Sequence, residues 1–415
     1  MYRKASRTAA ALLIGFVTIF SAACVHDNID TAILADSRLP RITGQSAGHS
    51  SDQSFDAYRS SVDQWLAERT MAHRTPEARM LNLPFELAAN PTVPYRGRFL
   101  LFHGLNDSTY VWQPLASELS QRGFDVRAIL FDGHGSTPED MLDVRWEWWL
   151  ESAREHLAFW QDHNVPMFLG GFSMGAVIAT WLSLDNPDIA GLLLISPAFE
   201  SRLNHYLRWS GIYARFKPWV FGGMIREDNP IKYNSIPVNS GWQYYQLTRG
   251  LKRRWSRQDR LEMPVLMVVT EDDSVVSTIY TKKLFTRRFV SIESRLLSYS
   301  SELAKLAEQR SIHDEERFVY RSSFFPDRRI LNQSHLGLMY PPENLLFGER
   351  GKVLVCNGNE YPVYSACMHS SRHWYGAQHT PSPDGVPVAR TTYNPDWQAM
   401  LDLVDNVLLT GSADQ

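Results

Sequence analysis

The chain has 415 residues, of which 44% are hydrophobic and 21% charged, and its formal net charge is −3 at pH 7. This composition is that of a globular protein, and the length suits one large domain with an insertion, or two domains. The near-neutral balance and the lack of long single-sign charge runs give no indication of a nucleic-acid partner. No dinucleotide-binding or Walker motif occurs, so we expect no cofactor.

The N-terminus has the features of an export signal. Three basic residues within the first seven precede an apolar run over 9–20, which is too short to span a bilayer comfortably. Small residues then lead into Cys24, a pattern that resembles a bacterial lipoprotein signal, although Ser21 stands where leucine is usual. The resemblance implies removal of 1–23, lipidation of Cys24 and, because Val25 follows, outer-membrane anchoring facing the periplasm. A plain secretory signal and a single membrane anchor are the alternatives.

The sequence after the export signal predicts a tether and then alternating strands and helices. Residues 24–53 lack periodicity and end in a Gly/Ser-rich piece, which predicts a flexible tether. A helix is predicted over 55–71 and an edge strand over 81–87. Buried strands are predicted at 98–102, 124–131, 165–169, 189–196 and 263–270, with helices at 111–122, at 146–160 and after 175. This alternation predicts an α/β fold with a mostly parallel central sheet and helices on both faces, whose ligands lie at the carboxyl ends of the strands.

The stretch 171–175, Gly-Phe-Ser-Met-Gly, joins one of these strands to the helix that follows. A G-x-S-x-G pattern in that setting indicates a nucleophile elbow, in which a strained serine is flanked by glycines that let strand and helix approach closely. Ser173 is therefore the candidate nucleophile. The backbone N–H that follows the nucleophile predicts Met174 as one oxyanion donor, and the loop that begins at His103 predicts Leu105 as the other.

A serine nucleophile needs a base and a group that orients the base. The strand over 263–270 ends in Glu-Asp-Asp, and we choose Asp273 over Asp272 as the carboxylate because two valines follow it closely. His335 follows a short apolar run and precedes Leu-Gly, which makes it the candidate base. Rival histidines stand at positions 313, 369, 373 and 379.

Five motifs resemble the α/β-hydrolase fold in its monoacylglycerol-lipase and lysophospholipase-like branch. They are H-G-L at 103–105, D-G-H-G-S at 132–136, G-F-S-M-G at 171–175, E-D-D-S-V-V at 271–276 and S-H-L-G at 334–337. The resemblance implies a triad of Ser173, Asp273 and His335, and an oxyanion hole of Leu105 and Met174. Two features depart from the family: Thr270 stands where glycine is usual, and the long span from Asp273 to His335 implies an insertion around 301–317.

Between 197 and 261 the strand pattern stops, and an aromatic-rich helical stretch predicts the lid that this branch carries there. A lid packed only on itself is the alternative. The expected division is a signal peptide (1–23), a tether (24–53), a hydrolase core in two parts (54–196 and 262–415) and a lid (197–261). A terminal helix over 394–409 should close the outer face of the sheet.

Cys356 and Cys367 are the cysteines that remain after Cys24, an even number that suits an exported protein. They flank Asn-Gly-Asn, which predicts a disulfide closing a hairpin over 352–367. A metal site of Cys367 with histidines 369, 373 and 379 is the alternative, but the spacing matches no familiar zinc pattern, so we expect no metal.

Together these features predict a membrane-tethered serine ester hydrolase that forms an acyl-enzyme. We expect lipid-like esters such as monoacylglycerols or lysophospholipids as substrates, and a membrane as partner through the N-terminal lipid. A thioesterase or a peptidase would use the same groups. A non-catalytic lipoprotein that binds ligands on a hydrolase scaffold is a further alternative, which the combination of nucleophile, base and acid disfavours.

Overall fold

The computed structural model describes residues 37–42, 54–69, 75–220, 229–255, 259–302, 316–356 and 362–409. The predicted signal peptide with Cys24, most of the predicted tether and most of the predicted insertion around 301–317 lie outside the described residues. Within the described ranges, no helix combines the length and the apolar character needed to cross a bilayer.

An eight-stranded sheet forms the centre of the fold. Its strands are β1 (Phe85–Leu87), β2 (Gly97–Phe102), β3 (Phe124–Ile129), β4 (Met167–Phe172), β5 (Ile189–Ile195), β6 (Val265–Thr270), β7 (Arg295–Ser300) and β8 (Phe318–Ser322). Their order across the sheet is β1-β3-β2-β4-β5-β6-β7-β8. All neighbours pair in parallel except the edge strand β1, which is antiparallel to β3. The mostly parallel sheet expected from the sequence is confirmed.

Helices cover both faces of this sheet. They are α1 (Phe55–Arg69), α2 (Pro76–Met80), α3 (Gln113–Gln121), α4 (Trp146–Trp160), α5 (Met174–Asp185), α6 (Asn204–Tyr213), α7 (Val238–Arg254), α8 (Thr278–Arg288), α9 (Val363–His369) and α10 (Trp397–Leu408). Because side chains alternate along a strand, Leu100 and Phe102 pack with α4, α5 and α7, whereas Phe99 and Leu101 pack with α3 and α10. Because β2 to β8 run in parallel, the carboxyl ends of these strands lie at one rim of the sheet.

The prediction of a continuous tether over 24–53 is wrong for residues 37–42. Leu39 and Ile42 are buried in a cluster with α1, and the Leu39 N–H donates a hydrogen bond of 2.8 Å to Asp132 Oδ1. Arg41 also pairs with the buried Asp132 carboxylate, at 3.5 Å. Burial of the two apolar side chains and the pairing of Arg41 with Asp132 hold this stretch against the core.

The predicted hairpin over 352–367 is also wrong. The Cys356–Cys367 disulfide is present, but Cys367 lies on helix α9 instead of on a strand. Tyr364, Cys367 and Met368 share one face of this helix and pack around Ala389. A spacing of three and four residues between apolar side chains favours a helix, and it prevails over the strand preference of the tyrosines and valine before it.

Candidate active site

Ser173 lies at the sharp turn between β4 and α5. Its backbone has φ 55° and ψ −115°, a conformation that strains any residue with a side chain. A Cβ on Gly171 would overlap the backbone of Ala176, and a Cβ on Gly175 would overlap the carbonyl oxygen of Phe102. The two glycines therefore permit the close approach of strand and helix, and the Ser173 hydroxyl stands at the positive end of α5.

Three side chains from distant positions meet at this rim of the sheet. His335 Nε2 lies 2.9 Å from Ser173 Oγ, and His335 Nδ1 lies 2.7 Å from Asp273 Oδ2. The other oxygen of Asp273 accepts hydrogen bonds from the N–H groups of Val275 (2.7 Å) and Val276 (3.0 Å). All three side chains are buried. With Nδ1–H donating to Asp273, Nε2 is free to accept the hydroxyl proton of Ser173.

The neighbouring carboxylate, Asp272, points elsewhere. It accepts hydrogen bonds from the N–H and hydroxyl of Ser301, at 3.2 and 2.9 Å, and from the hydroxyl of Ser323, at 3.1 Å. Burial raises the pKa of the Asp272 carboxyl, although the hydrogen bonds from Ser301 work against the rise. Of the two adjacent acids, only Asp273 reaches His335.

Two of the rival histidines, His369 and His373, have partners other than Ser173. His369 Nδ1 lies 2.8 Å from the carbonyl oxygen of Ser365, and His373 Nε2 lies 2.7 Å from that of Cys367, both beside the disulfide. Position 313 lies outside the described residues. His335 is thus the histidine that contacts the candidate nucleophile among the described residues.

The loop that carries His335 is fixed by the ends of β5 and β6. The hydroxyl of Ser196 donates to the carbonyl oxygen of His335 at 2.9 Å. The hydroxyl of Thr270 donates to the carbonyl oxygen of Gln333 at 3.3 Å. The departure at Thr270 therefore adds a contact to this loop that glycine cannot make.

The two predicted oxyanion donors belong to segments that lie next to Ser173. A Cβ on Gly104 would lie 3.2 Å from Ser173 Cβ, so the loop that continues into Leu105 runs beside the nucleophile. Met174 is the first residue of α5, where helical N–H groups have no acceptor within the helix. The oxyanion roles of Leu105 and Met174 stay a prediction, which these placements support.

The chain is similar to several known proteins. A family model described as "Serine aminopeptidase, S33" matches residues 94–300. A thermostable monoacylglycerol lipase from Bacillus sp. (strain H-257) is 26% identical over 179 residues, which is 43% of this chain and 70% of that protein. The chain belongs to the α/β-hydrolase superfamily. It lies in the monoacylglycerol-lipase-like branch and is a hydrolase of the esterase and lipase type.

The solved structures to which the chain is similar are distant from it in sequence. One, from a study of the metagenome-derived lipolytic enzymes LipS and LipT, is 19% identical with a TM-score of 0.44, and the match covers 55% of this chain and 94% of that one. The monoacylglycerol lipase of Paleococcus ferrophilus is 19% identical with a TM-score of 0.42, covering 52% and 88%. The family match ends at residue 300 and does not include His335, whose assignment depends on the sequence around it and on the geometry.

His103 ties the start of the oxyanion loop to the neighbouring strand, a role that the sequence did not indicate. Its Nε2 accepts a hydrogen bond of 3.1 Å from the Phe131 N–H, and its Nδ1 lies 2.8 Å from the carbonyl oxygen of Gly104. Burial and the adjacent His134 hold the pKa of His103 well below its usual range. The imidazole is therefore neutral and serves as a fixed bridge between donor and acceptor.

Asp107 and Lys232 hold the same loop from the lid side. The buried Asp107 carboxylate lies 3.3 Å from Lys232 Nζ, and the Tyr233 N–H donates to the carbonyl oxygen of Asn106 at 3.0 Å. Burial raises the pKa of Asp107, and the charge of Lys232 opposes the rise. More than 120 residues separate these partners, so no local pattern could have indicated the contact.

The described part of the lid exposes an apolar surface. No residue of α6 is buried, and large apolar side chains on α6 and the turns around it are at least half exposed: Leu203, Tyr206, Trp209, Ile212, Tyr213 and Phe216. In contrast, Tyr244, Leu247 and Leu251 of α7 are buried against the core. Helix α6 packs on α7 of the same lid, where Gly211 lies against Trp242, so contact between the lid and a substrate stays a prediction.

One group of side chains in the described ranges has a geometry compatible with a metal ion, namely Cys356, Cys367 and His373. The two sulfur atoms are joined in the disulfide, so neither can act as a thiolate ligand. A metal site here would need the disulfide to be reduced first.

Proposed function

We propose that this hydrolase cleaves carboxylic esters through Ser173, His335 and Asp273. The observation that carries the proposal is the continuous hydrogen-bonded chain from Ser173 Oγ through His335 to Asp273, at 2.9 and 2.7 Å. Ser173 attacks the ester carbonyl while His335 takes its proton, and the N–H groups of Leu105 and Met174 stabilise the oxyanion. His335 returns the proton to the leaving alcohol, and water then hydrolyses the acyl-enzyme by the same route.

Lipid-like esters, such as monoacylglycerols or lysophospholipids, are the proposed substrates. The exposed apolar side chains of the lid support this choice, because an acyl chain loses unfavourable contact with water when it packs against such a surface. The name of the Bacillus relative also supports it, since that protein is a monoacylglycerol lipase. A peptidase is the second candidate, because the matching family model is described as a serine aminopeptidase; a thioesterase would use the same groups.

Turnover of p-nitrophenyl esters from acetate to palmitate tests the proposal, with a thioester and an aminoacyl anilide as further arms. We expect the highest kcat/KM on a long-chain ester and a loss of about 10⁴-fold or more in Ser173→Ala. The matched control is Ser183→Ala, which removes a buried hydroxyl from the same helix that bonds only to the Thr180 carbonyl. Ester hydrolysis that survives in Ser173→Ala contradicts the mechanism, and faster cleavage of the anilide favours the peptidase.

We further propose that the chain is an exported lipoprotein anchored through Cys24 in the outer membrane, facing the periplasm. The Cys356–Cys367 disulfide supports export, because structural disulfides persist in oxidising compartments. Metabolic labelling with palmitate in a bacterial host tests the anchor. The lipid anchor is supported if the wild type is labelled and membrane-associated and Cys24→Ala is neither. A wild-type protein that is soluble and unlabelled contradicts the anchor.

A further inference from the structure

A disulfide-containing segment lies between the His335 loop and the last helix. We call it the disulfide segment and define it as the described residues 352–356 and 362–391. It contains α9, the Cys356–Cys367 disulfide and the strands β9 (Trp374–Gly376) and β10 (Val388–Arg390). The two strands pair in parallel with each other and not with the central sheet.

The disulfide segment is hydrogen-bonded to the loop just before His335. The Leu331 N–H donates to the carbonyl oxygen of Tyr375 at 2.8 Å. The side-chain oxygen of Asn332 accepts from the Ala377 N–H at 2.7 Å and from the Thr380 hydroxyl at 3.2 Å. These contacts fix the backbone three and four residues before the imidazole.

Within the disulfide segment, Thr391 makes the contacts that lie nearest to His335 along the chain. Its hydroxyl donates to the carbonyl oxygen of Asn332 at 2.7 Å, and its own carbonyl oxygen accepts from the Ser334 hydroxyl at 2.6 Å. Its N–H donates to the carbonyl oxygen of Gly376 at 3.0 Å, and its side chain is fully buried. Thr391 therefore binds the loop on both sides of Gln333, while Ser196 and Thr270 hold the loop from the central sheet.

The disulfide lies against the strand that leads into Thr391. Ala389 of β10 is buried in one cluster with Cys356 and Cys367. The Arg390 N–H donates to the carbonyl oxygen of Val355 at 2.8 Å, next to Cys356. The disulfide, β10, Thr391 and the His335 loop thus form one connected series of contacts.

We propose that Thr391 is a positioning residue for His335 and that the disulfide segment is the frame that holds Thr391. The proposal rests on the catalytic role proposed for His335. Loss of the Thr391 hydroxyl frees the Asn332 carbonyl and lets the imidazole shift relative to Ser173 Oγ. Because proton transfer depends steeply on this geometry, the effect falls on kcat; substrate binding at the lid is unaffected, so KM is unchanged.

The test compares Thr391→Val with Thr392→Val in the full chain. Thr392 is the matched control, because its buried hydroxyl donates to the carbonyl oxygen of Phe347 at 2.6 Å, away from the His335 loop. We expect kcat to fall about tenfold in Thr391→Val with KM within about twofold, and kcat to recover in Thr391→Ser. An unchanged kcat in Thr391→Val, or an equal loss in Thr392→Val, overturns the proposal.

A second readout does not depend on turnover. The low-field proton resonance of the His335 Nδ1–H, shared with Asp273, should be sharp in the wild type and shifted or broadened in Thr391→Val. If the wild type shows neither this resonance nor ester hydrolysis, the proposed function itself is contradicted. If the wild type shows both and Thr391→Val has the same resonance and the same kcat, only the positioning role is contradicted. If Thr391→Val does not fold, Ser334→Ala removes the partner hydrogen bond, and unchanged kcat there overturns the proposal.

Discussion

Replacement of Asp273 by asparagine tests how the candidate base is oriented. The N–H groups of Val275 and Val276 donate to Asp273 Oδ1, so the oxygen of the new amide must stay on that side. Its NH₂ group then faces His335 Nδ1, which must become an acceptor and leave the proton on Nε2. That tautomer cannot take the proton from Ser173. We expect kcat to fall about 10⁴-fold, or about 5 kcal/mol of transition-state stabilisation, with the fold intact.

Steady-state hydrolysis of a p-nitrophenyl ester measures the effect, with Asp272→Asn as the matched control. Asp272 bonds to Ser301 and Ser323 and not to His335, so its replacement should leave kcat within about threefold. A kcat in Asp273→Asn within tenfold of the wild type refutes the reasoning. So does an equal loss in both variants, because it would mean that the acidic turn matters only for folding.

Three further predictions concern the elbow, acid stability and the disulfide. Gly175→Ala should lower kcat/KM for ester hydrolysis about 100-fold, because the new Cβ would overlap the carbonyl oxygens of Phe102 and His103. Gly191→Ala is the control: its Cβ would contact only side chains, and kcat/KM should stay within about threefold of the wild type. Burial lowers the pKa of His134 to about 4. Between about pH 6.5 and pH 4 His134 is therefore protonated in the unfolded state and neutral in the native state, so acid favours unfolding. Between pH 7 and pH 4 the unfolding free energy, measured by urea unfolding, should fall by about 3 kcal/mol more in the wild type than in His134→Asn. Equal falls in the two proteins would refute this prediction. The double variant Cys356→Ser/Cys367→Ser should lower the free energy of unfolding of the disulfide segment, measured in urea, by about 3 kcal/mol. A urea midpoint equal to that of the wild type would contradict this prediction.

The features that the sequence predicted well are those set by local physical constraints. The elbow follows from glycines at fixed positions around Ser173, since only glycine lets the strand and helix approach so closely. The parallel strands follow from apolar runs such as Leu192–Ile195, which are buried on both faces of a covered sheet. The choice of Asp273 over Asp272 used the two valines, whose N–H groups do hold its carboxylate.

The features that the sequence did not predict depend on contacts between distant residues. Leu39 and Ile42 were assigned to a tether because the residues that bury them lie on α1 and elsewhere in the core, outside their own stretch of sequence. The bond from Lys232 to Asp107 crosses from the lid to the oxyanion loop, and Thr391 reaches the His335 loop over more than fifty residues. Pairings at such separations leave no periodic signature in one sequence.

The most direct test of the account is labelling with a fluorophosphonate, which reacts with a serine only when a base activates it and an oxyanion site accepts the charge. Intact-mass and peptide analysis should find one adduct, on Ser173, formed rapidly in the wild type and at least 100-fold more slowly in His335→Ala. Folded protein that carries no adduct on Ser173, or an adduct rate that is the same in His335→Ala, would contradict the claim that these side chains act together.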